Sequence, residues 1–224
     1  MKKPIIFTNF KIYQTATGEL AEELAKIHEA AAEKFPQIEF WVAPQAADIY
    51  RISKQVSKTK IWAQNIDPVE FGSGTGAILP ESVKNSGAVG TILNHSEKRF
   101  SDLQKLEKTI EKAKKAGLQI CVCAESSEEI EKFSQNSFVD FLAIESPELI
   151  GGDISVATAK PELISDTIAK SNGKKILVGA GIKNSQDCKI AKKLGAVGVL
   201  LASGITKSPN PLEVLQDLAQ GFLD

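Results

Sequence analysis

The chain has 224 residues, 42% hydrophobic and 25% charged, with a net charge of −1; this is the make-up of one large globular domain rather than a disordered or fibrous chain. Near-zero net charge and 6% aromatics leave no basic-aromatic stripe for nucleic acid. The amino-terminal MKKPIIFTNFKIY is interrupted by Thr8, Asn9 and Lys11, too short and polar for a signal peptide or a membrane span, so the expected location is cytoplasmic, with no membrane partner.

The first apolar run, 4–9, reads as a strand rich in Ile and Phe. Asn9 and Lys11 follow at its end; two residues apart on an extended chain, they are expected to face the same side. A lysine there supplies a fixed positive charge for an anionic substrate. A helix is predicted over 17–34, where Leu20, Leu24, Ile27 and Ala31 recur at spacings of four, three and four, with Thr17 as N-cap. His28, among alanines and glutamates, is expected at the surface of that helix.

Next come a strand at 38–43, a helix at 45–55, a strand at 59–64, a glycine-rich connection at 65–79, a helix at 80–86 and a strand at 88–94. His95 follows directly, in NHSEKRF. Ser96 and Glu97 can begin a helical turn whose positive amino end disfavours imidazolium. A neutral histidine there can donate a hydrogen bond to a substrate carbonyl. The helix at 101–116 has Ser101 as expected N-cap and Gly117 as C′ residue; Gly173 and Gly195 end two later helices in the same way. The strand at 118–123 carries Cys121 and Cys123 on one face; with Cys188 they read as buried free thiols, and no CxxC spacing suggests a metal.

After a helix at 126–134 and a strand at 138–144 comes Glu145. A carboxylate at the mouth of a buried strand is partly desolvated, which makes it a better base. The following SPELIGGD, with Pro147, an apolar tip of Leu149 and Ile150, and Gly151-Gly152, has the composition of a lid. A helix at 158–171, a strand at 175–180, a helix at 184–194, a strand at 196–202 and a helix at 209–222 complete the chain. Glycine-rich segments follow the last two strands, Gly179-Ala180-Gly181-Ile182 and Ala202-Ser203-Gly204-Ile205, and suit phosphate binding by backbone N–H groups.

Eight strand-helix units in one undivided chain point to an α/β fold, a closed (β/α)8 barrel as one domain over 1–224. An open doubly wound sheet is disfavoured because no GxGxxG follows the first strand. A parallel barrel puts every strand end of one polarity on one face, so Lys11, His95 and Glu145 can meet there as cation, electrophile and base.

The segments TNFK, AQN (63–65), DPVEFGSGTG (67–76), GTILNHSEKR, IESPELIGG, GAGI and LLASG, in this order over nearly the whole chain, resemble the triosephosphate isomerase family, particularly its shorter archaeal branch. The resemblance implies interconversion of dihydroxyacetone phosphate and glyceraldehyde 3-phosphate, in glycolysis and gluconeogenesis, without cofactor or metal. It makes Glu145 the proton carrier, His95 the neutral electrophile, Lys11 the stabiliser of negative charge, Asn9 a substrate-holding residue and Glu97 the partner of Lys11. It places the phosphate on backbone near Ile150, Gly181, Ala202 and Ser203. It also implies a homodimer or homotetramer, with loop 65–79 and Thr75 bracing a neighbouring subunit. Departures from the family pattern are Ser146 at the lid entry, Gly152-Asp153 at its exit, and CVCAES after the fifth strand. Asp153 is expected to point away from the phosphate and cap the segment ISVATAKPEL. A phosphate-binding barrel lyase or aldolase is the competing enzyme class, disfavoured because a Schiff-base aldolase needs a lysine within the strand bundle and the strands at 88–94, 118–123 and 138–144 contain none. A non-catalytic barrel is the other alternative.

Overall fold

The computed structural model describes residues 3–145, 161–179 and 181–224. Its eight parallel strands are β1 (Ile5–Asn9), β2 (Glu39–Ala43), β3 (Lys60–Ala63), β4 (Gly90–Leu93), β5 (Gln119–Ala124), β6 (Phe141–Ile144), β7 (Lys175–Gly179) and β8 (Gly198–Leu201). They close in sequence order, β8 pairing back on β1 with Ile5 opposite Gly198. The barrel, not the open sheet, is the architecture. Around it among the described residues lie α1 (Glu19–Lys34), α2 (Ile49–Ser53), α3 (Pro80–Asn85), α4 (Leu103–Lys115), α5 (Ser127–Ser134), α6 (Pro161–Lys170), α7 (Ser185–Lys193), the single turn α8 (Ser203–Thr206) and α9 (Pro211–Leu223).

The period-2 alternation of each strand divides the apolar residues into two cores. Ile6, Phe40, Val42, Ile120, Val122, Leu142 and Ile176 face outward and pack under the helices. Ile5, Phe7, Trp41, Ala43, Cys121, Cys123, Phe141, Ala143 and Leu177 face inward. The interior is graded along the barrel axis. Phe7, Trp41, Trp62 and Phe141 form an aromatic plug, with the two indoles stacked 4.7 Å apart. Gly90 has no side chain because a Cβ there would lie 2.5 Å from the Trp62 ring. Ala43, Ala143 and Gly179, all small and buried, stand at or near the carboxyl ends of their strands.

Several local expectations are revised. Helix α1 starts at Glu19 behind Gly18 (φ +63), not behind Thr17; the Thr17 hydroxyl instead donates to Tyr13 O at 2.8 Å. Helix α4 is capped by Asp102, whose Oδ1 accepts from Gln104 N at 2.8 Å, not by Ser101. The sixth strand begins at Phe141 rather than near 138, because 136–139 is a turn in which Asn136 Oδ1 accepts from Phe138 N and Asn136 O accepts from Val139 N.

The largest revision concerns α1. Its buried stripe is Ala21, Leu24, Ala25, His28, Ala31 and Ala32, whereas Leu20 is 44% exposed. His28 lies in the middle of that stripe and is fully buried, not at the surface. It can be there because both ring nitrogens are satisfied: Nδ1 is 2.8 Å from Leu24 O and Nε2 is 2.8 Å from Thr8 Oγ1. A carbonyl can only accept, so Nδ1 carries the proton and the Thr8 hydroxyl donates to Nε2. Cys121, Cys123 and Cys188 are free and buried, as expected.

Candidate active site

The site is assembled from strand ends. Asn9 and Glu145 continue the inward parity of β1 and β6, and both are buried, at 6% exposure. Lys11 does not extend the strand as expected; it sits in a turn with φ +50. Its N–H donates to Asn9 Oδ1 at 3.0 Å. Its carbonyl accepts from Gln64 Nε2 at 2.8 Å. Its Nζ meets Glu97 Oε1 at 2.8 Å. At the end of β4, Asn94 takes φ +60 and breaks the strand alternation. Its side chain bridges two segments: Nδ2 donates to Cys123 O at 2.9 Å, and Oδ1 accepts from Phe100 N at 3.0 Å.

His95 follows and caps a 3₁₀ turn, Ser96–Lys98, with Nδ1 accepting from Glu97 N at 3.1 Å. A nitrogen that accepts a backbone N–H holds no proton, so the ring proton sits on Nε2. Nε2 is 3.4 Å from Glu145 Oε1. Glu145 Oε2 is buried and has no hydrogen-bond partner among the described residues. Burial, and after it the Glu145 carboxylate, push the neighbouring Cys123 thiol well above its usual range, so Cys123 stays protonated. Gly179 makes room for the Glu145 side chain: a Cβ there would lie 2.7 Å from its Cγ.

A cavity of about 490 Å³ opens beside these groups, with Asn9, Lys11, Gln64, Asn65, His95 and Glu97 in its wall. Asn65 Nδ2 is buried there without a hydrogen-bond partner among the described residues. Of the residues expected near a phosphate, Gly181 takes φ +71 just after β7, while Ala202 and Ser203 open the turn after β8. These two loops are adjacent, since a Cβ at Gly204 would lie 3.7 Å from Ile182 O. Ile150, Gly152 and Asp153, with the rest of 146–160, lie outside the described residues, as does Ala180. Sequence reasoning missed Gln64 and Asn94 as holders of the site. The AQN segment marked Gln64 only as part of a resemblance, and an asparagine at a strand end is a weak signal for φ > 0.

A buried carboxylate, an imidazole N–H beside it and an ammonium at the same mouth can move a proton between carbon atoms next to a polarised carbonyl. Comparison with known proteins bears on which reaction this is. The family model for triosephosphate isomerase matches residues 4–218. A triosephosphate isomerase of Methanobacterium bryantii is 43% identical over 96% of this chain and 95% of its own length. One of Methanobrevibacter smithii is 44% identical over 97% and 98%, and one of Saccharolobus solfataricus 41% over 100% and 98%. The crystal structure of triosephosphate isomerase from Bartonella henselae superposes with a TM-score of 0.73 at 17% identity, covering 97% of this chain and 99% of that one, which speaks to the fold alone.

Proposed function

The chain belongs to the triosephosphate isomerase family, as an archaeal-type member, and we propose that Glu145, His95 and Lys11 perform the interconversion of dihydroxyacetone phosphate and D-glyceraldehyde 3-phosphate. The observation that carries the assignment is the buried carboxylate of Glu145, whose Oε2 has no hydrogen-bond partner among the described residues, with His95 Nε2 only 3.4 Å from the other oxygen. Glu145 takes a proton from the carbon beside the carbonyl. The His95 Nε2–H donates to the carbonyl oxygen, which gains negative charge as the enediolate forms. The His95 imidazole passes its Nε2 proton to the former carbonyl oxygen and takes the proton of the adjacent hydroxyl, and the glutamic acid then returns its proton to the former carbonyl carbon, leaving the new carbonyl where the hydroxyl stood. The pairing of a glutamate base with a neutral histidine is the one long associated with this family. Lys11 stabilises the negative charge, Asn9 helps hold the substrate, and Glu97 pairs with the Lys11 ammonium. The phosphate rests on backbone groups near Ile150, Gly181, Ala202 and Ser203. No cofactor enters this scheme.

The same reading makes the chain a single barrel domain working in the cytoplasm, in glycolysis and gluconeogenesis. No helix among the described residues is long and apolar enough to cross a membrane. The protein assembles as a homodimer or homotetramer through loop 65–79, with Thr75 bracing the neighbour's site. Two features support that: Phe71 on the loop is 75% exposed, and Ile12 at the cavity rim is 80% exposed.

The test is a coupled isomerase assay on the wild type and on Glu145→Gln. The variant keeps the shape of the base but not its function. Turnover is expected to fall at least about a thousandfold with an unchanged circular dichroism spectrum, since a positioned base contributes on the order of 10² to 10⁴. Near wild-type turnover would remove Glu145 from the chemistry, and an inactive wild type would leave the aldolase or binding-module reading.

A further inference from the structure

We propose that Gln64 is a positioning residue for Lys11, setting the ammonium by pinning the lysine's backbone; this rests on the reading of Lys11 as the cation that meets the substrate. Among the described residues only Lys11, Asn94 and Asn172 have φ > 0 without being glycine. Asparagine enters that region readily through local hydrogen bonds, whereas lysine has no such help, so its conformation must be imposed by its surroundings. The side-chain contact to Glu97 is a poor candidate for imposing it. The Glu97 side chain is 59% exposed, and a solvent-exposed ion pair holds a geometry weakly.

The backbone contacts are stronger constraints. On one side Asn9 Oδ1 accepts the Lys11 N–H at 3.0 Å. On the other, Gln64 Nε2 lies 2.8 Å from Lys11 O and 2.9 Å from Ala43 O. Two carbonyl oxygens facing one amide atom require that atom to be nitrogen, with one proton for each. Gln64 thus ties the turn after β1 to the ends of β2 and β3. Without that donor the Lys11 carbonyl is released, the turn is free to relax to φ < 0, and Nζ swings away from the cavity.

The experiment is a double-mutant cycle between Gln64→Met, which keeps length but has no donor, and Lys11→Met. On the wild-type background Gln64→Met is expected to lower kcat/KM about ten- to a hundredfold, the cost of a small misplacement of a binding group, mostly through KM. On the Lys11→Met background it is expected to change kcat/KM less than twofold, because the group it positions is gone. Gln64→Glu, which sets a carboxylate oxygen against the two carbonyls, serves as the second variant should Gln64→Met fold poorly, and the same cycle is expected. Wild-type kcat/KM in the Gln64 variants overturns the proposal while leaving Lys11 in place. An equal loss on both backgrounds also overturns it, since Gln64 then acts on the fold and not through Lys11. Full activity in Lys11→Met removes the lysine from the chemistry, and the proposal falls with that reading.

Discussion

At the scale of single residues the site depends as much on absent atoms as on reactive ones. Glu145 stands out in the sequence as a candidate base because a carboxylate follows the apolar FLAI. Gly179 was readable only as part of a glycine-rich segment suited to phosphate. The barrel brings Gly179 against Glu145, where an added Cβ would stand 2.7 Å from Cγ and 3.4 Å from Oε1. Its backbone needs no positive φ, so the constraint is steric. Gly179→Ala is therefore expected to fold and to displace the carboxylate. Turnover should fall at least about tenfold, because reacting groups lose rate steeply with sub-ångström displacement. Steady-state kinetics beside a melting curve checks this; an active variant would show that the Glu145 side chain moves aside without consequence.

At the scale of elements, α1 is fastened to the barrel at two points that titrate. Burial holds His28 at about pKa 4, outweighing the Leu24 carbonyl that favours its charged form. Glu29, the next residue, is also opposed by burial. The N–H groups of Lys58, Thr59 and Ser57 outweigh that penalty and draw its carboxylate to about 2.

The signs follow from proton uptake. Above pH 6.5 His28 is neutral whether folded or unfolded. Between 6.5 and 4 the unfolded chain takes up a proton that the folded one refuses, so stability falls as pH falls, by about 3 kcal/mol over that window. Glu29 adds its own loss as pH drops from its ordinary 4.5 towards 2. Denaturant unfolding at pH 7, 5.5 and 4.5 should show the decline, and His28→Gln should flatten it between 6.5 and 4.5. Parallel declines in the two proteins would assign the effect to other groups. The burial of His28 was legible in principle, since Ala21, Leu24, Ala25 and His28 are spaced for one face. The reading failed by weighting Leu20, the larger apolar residue, which the fold leaves half in solvent.

At the scale of the whole molecule, assembly is tested by placing charge on loop 65–79. Gly74 is exposed, has no left-handed φ, and a Cβ there would meet only Ala77 Cβ, at 3.9 Å. Gly74→Glu therefore leaves the single barrel undisturbed. If the loop docks into a neighbour, the new carboxylate becomes a buried unpaired charge, which is costly. Light scattering should show a smaller species, and turnover should fall with it. A fully active monomer would refute the bracing role of Thr75.

By itself the sequence determined the architecture and nominated the chemical groups. Periodicity is a local property: each apolar run and each helical stripe is written in contiguous residues, and eight alternations leave few closed solutions. The identities of Glu145, His95 and Lys11 could be read in the same way, each following a strand. The tertiary structure decided how those groups are held. Gln64 reaches Lys11 from 53 positions away, Asn94 fastens the loop of His95 to β5, and Gly179 clears space for a glutamate on another strand. Such contacts depend on register, strand tilt and a left-handed backbone at two non-glycine residues. They arise only when the barrel closes, because no local pattern encodes which strand ends will become neighbours.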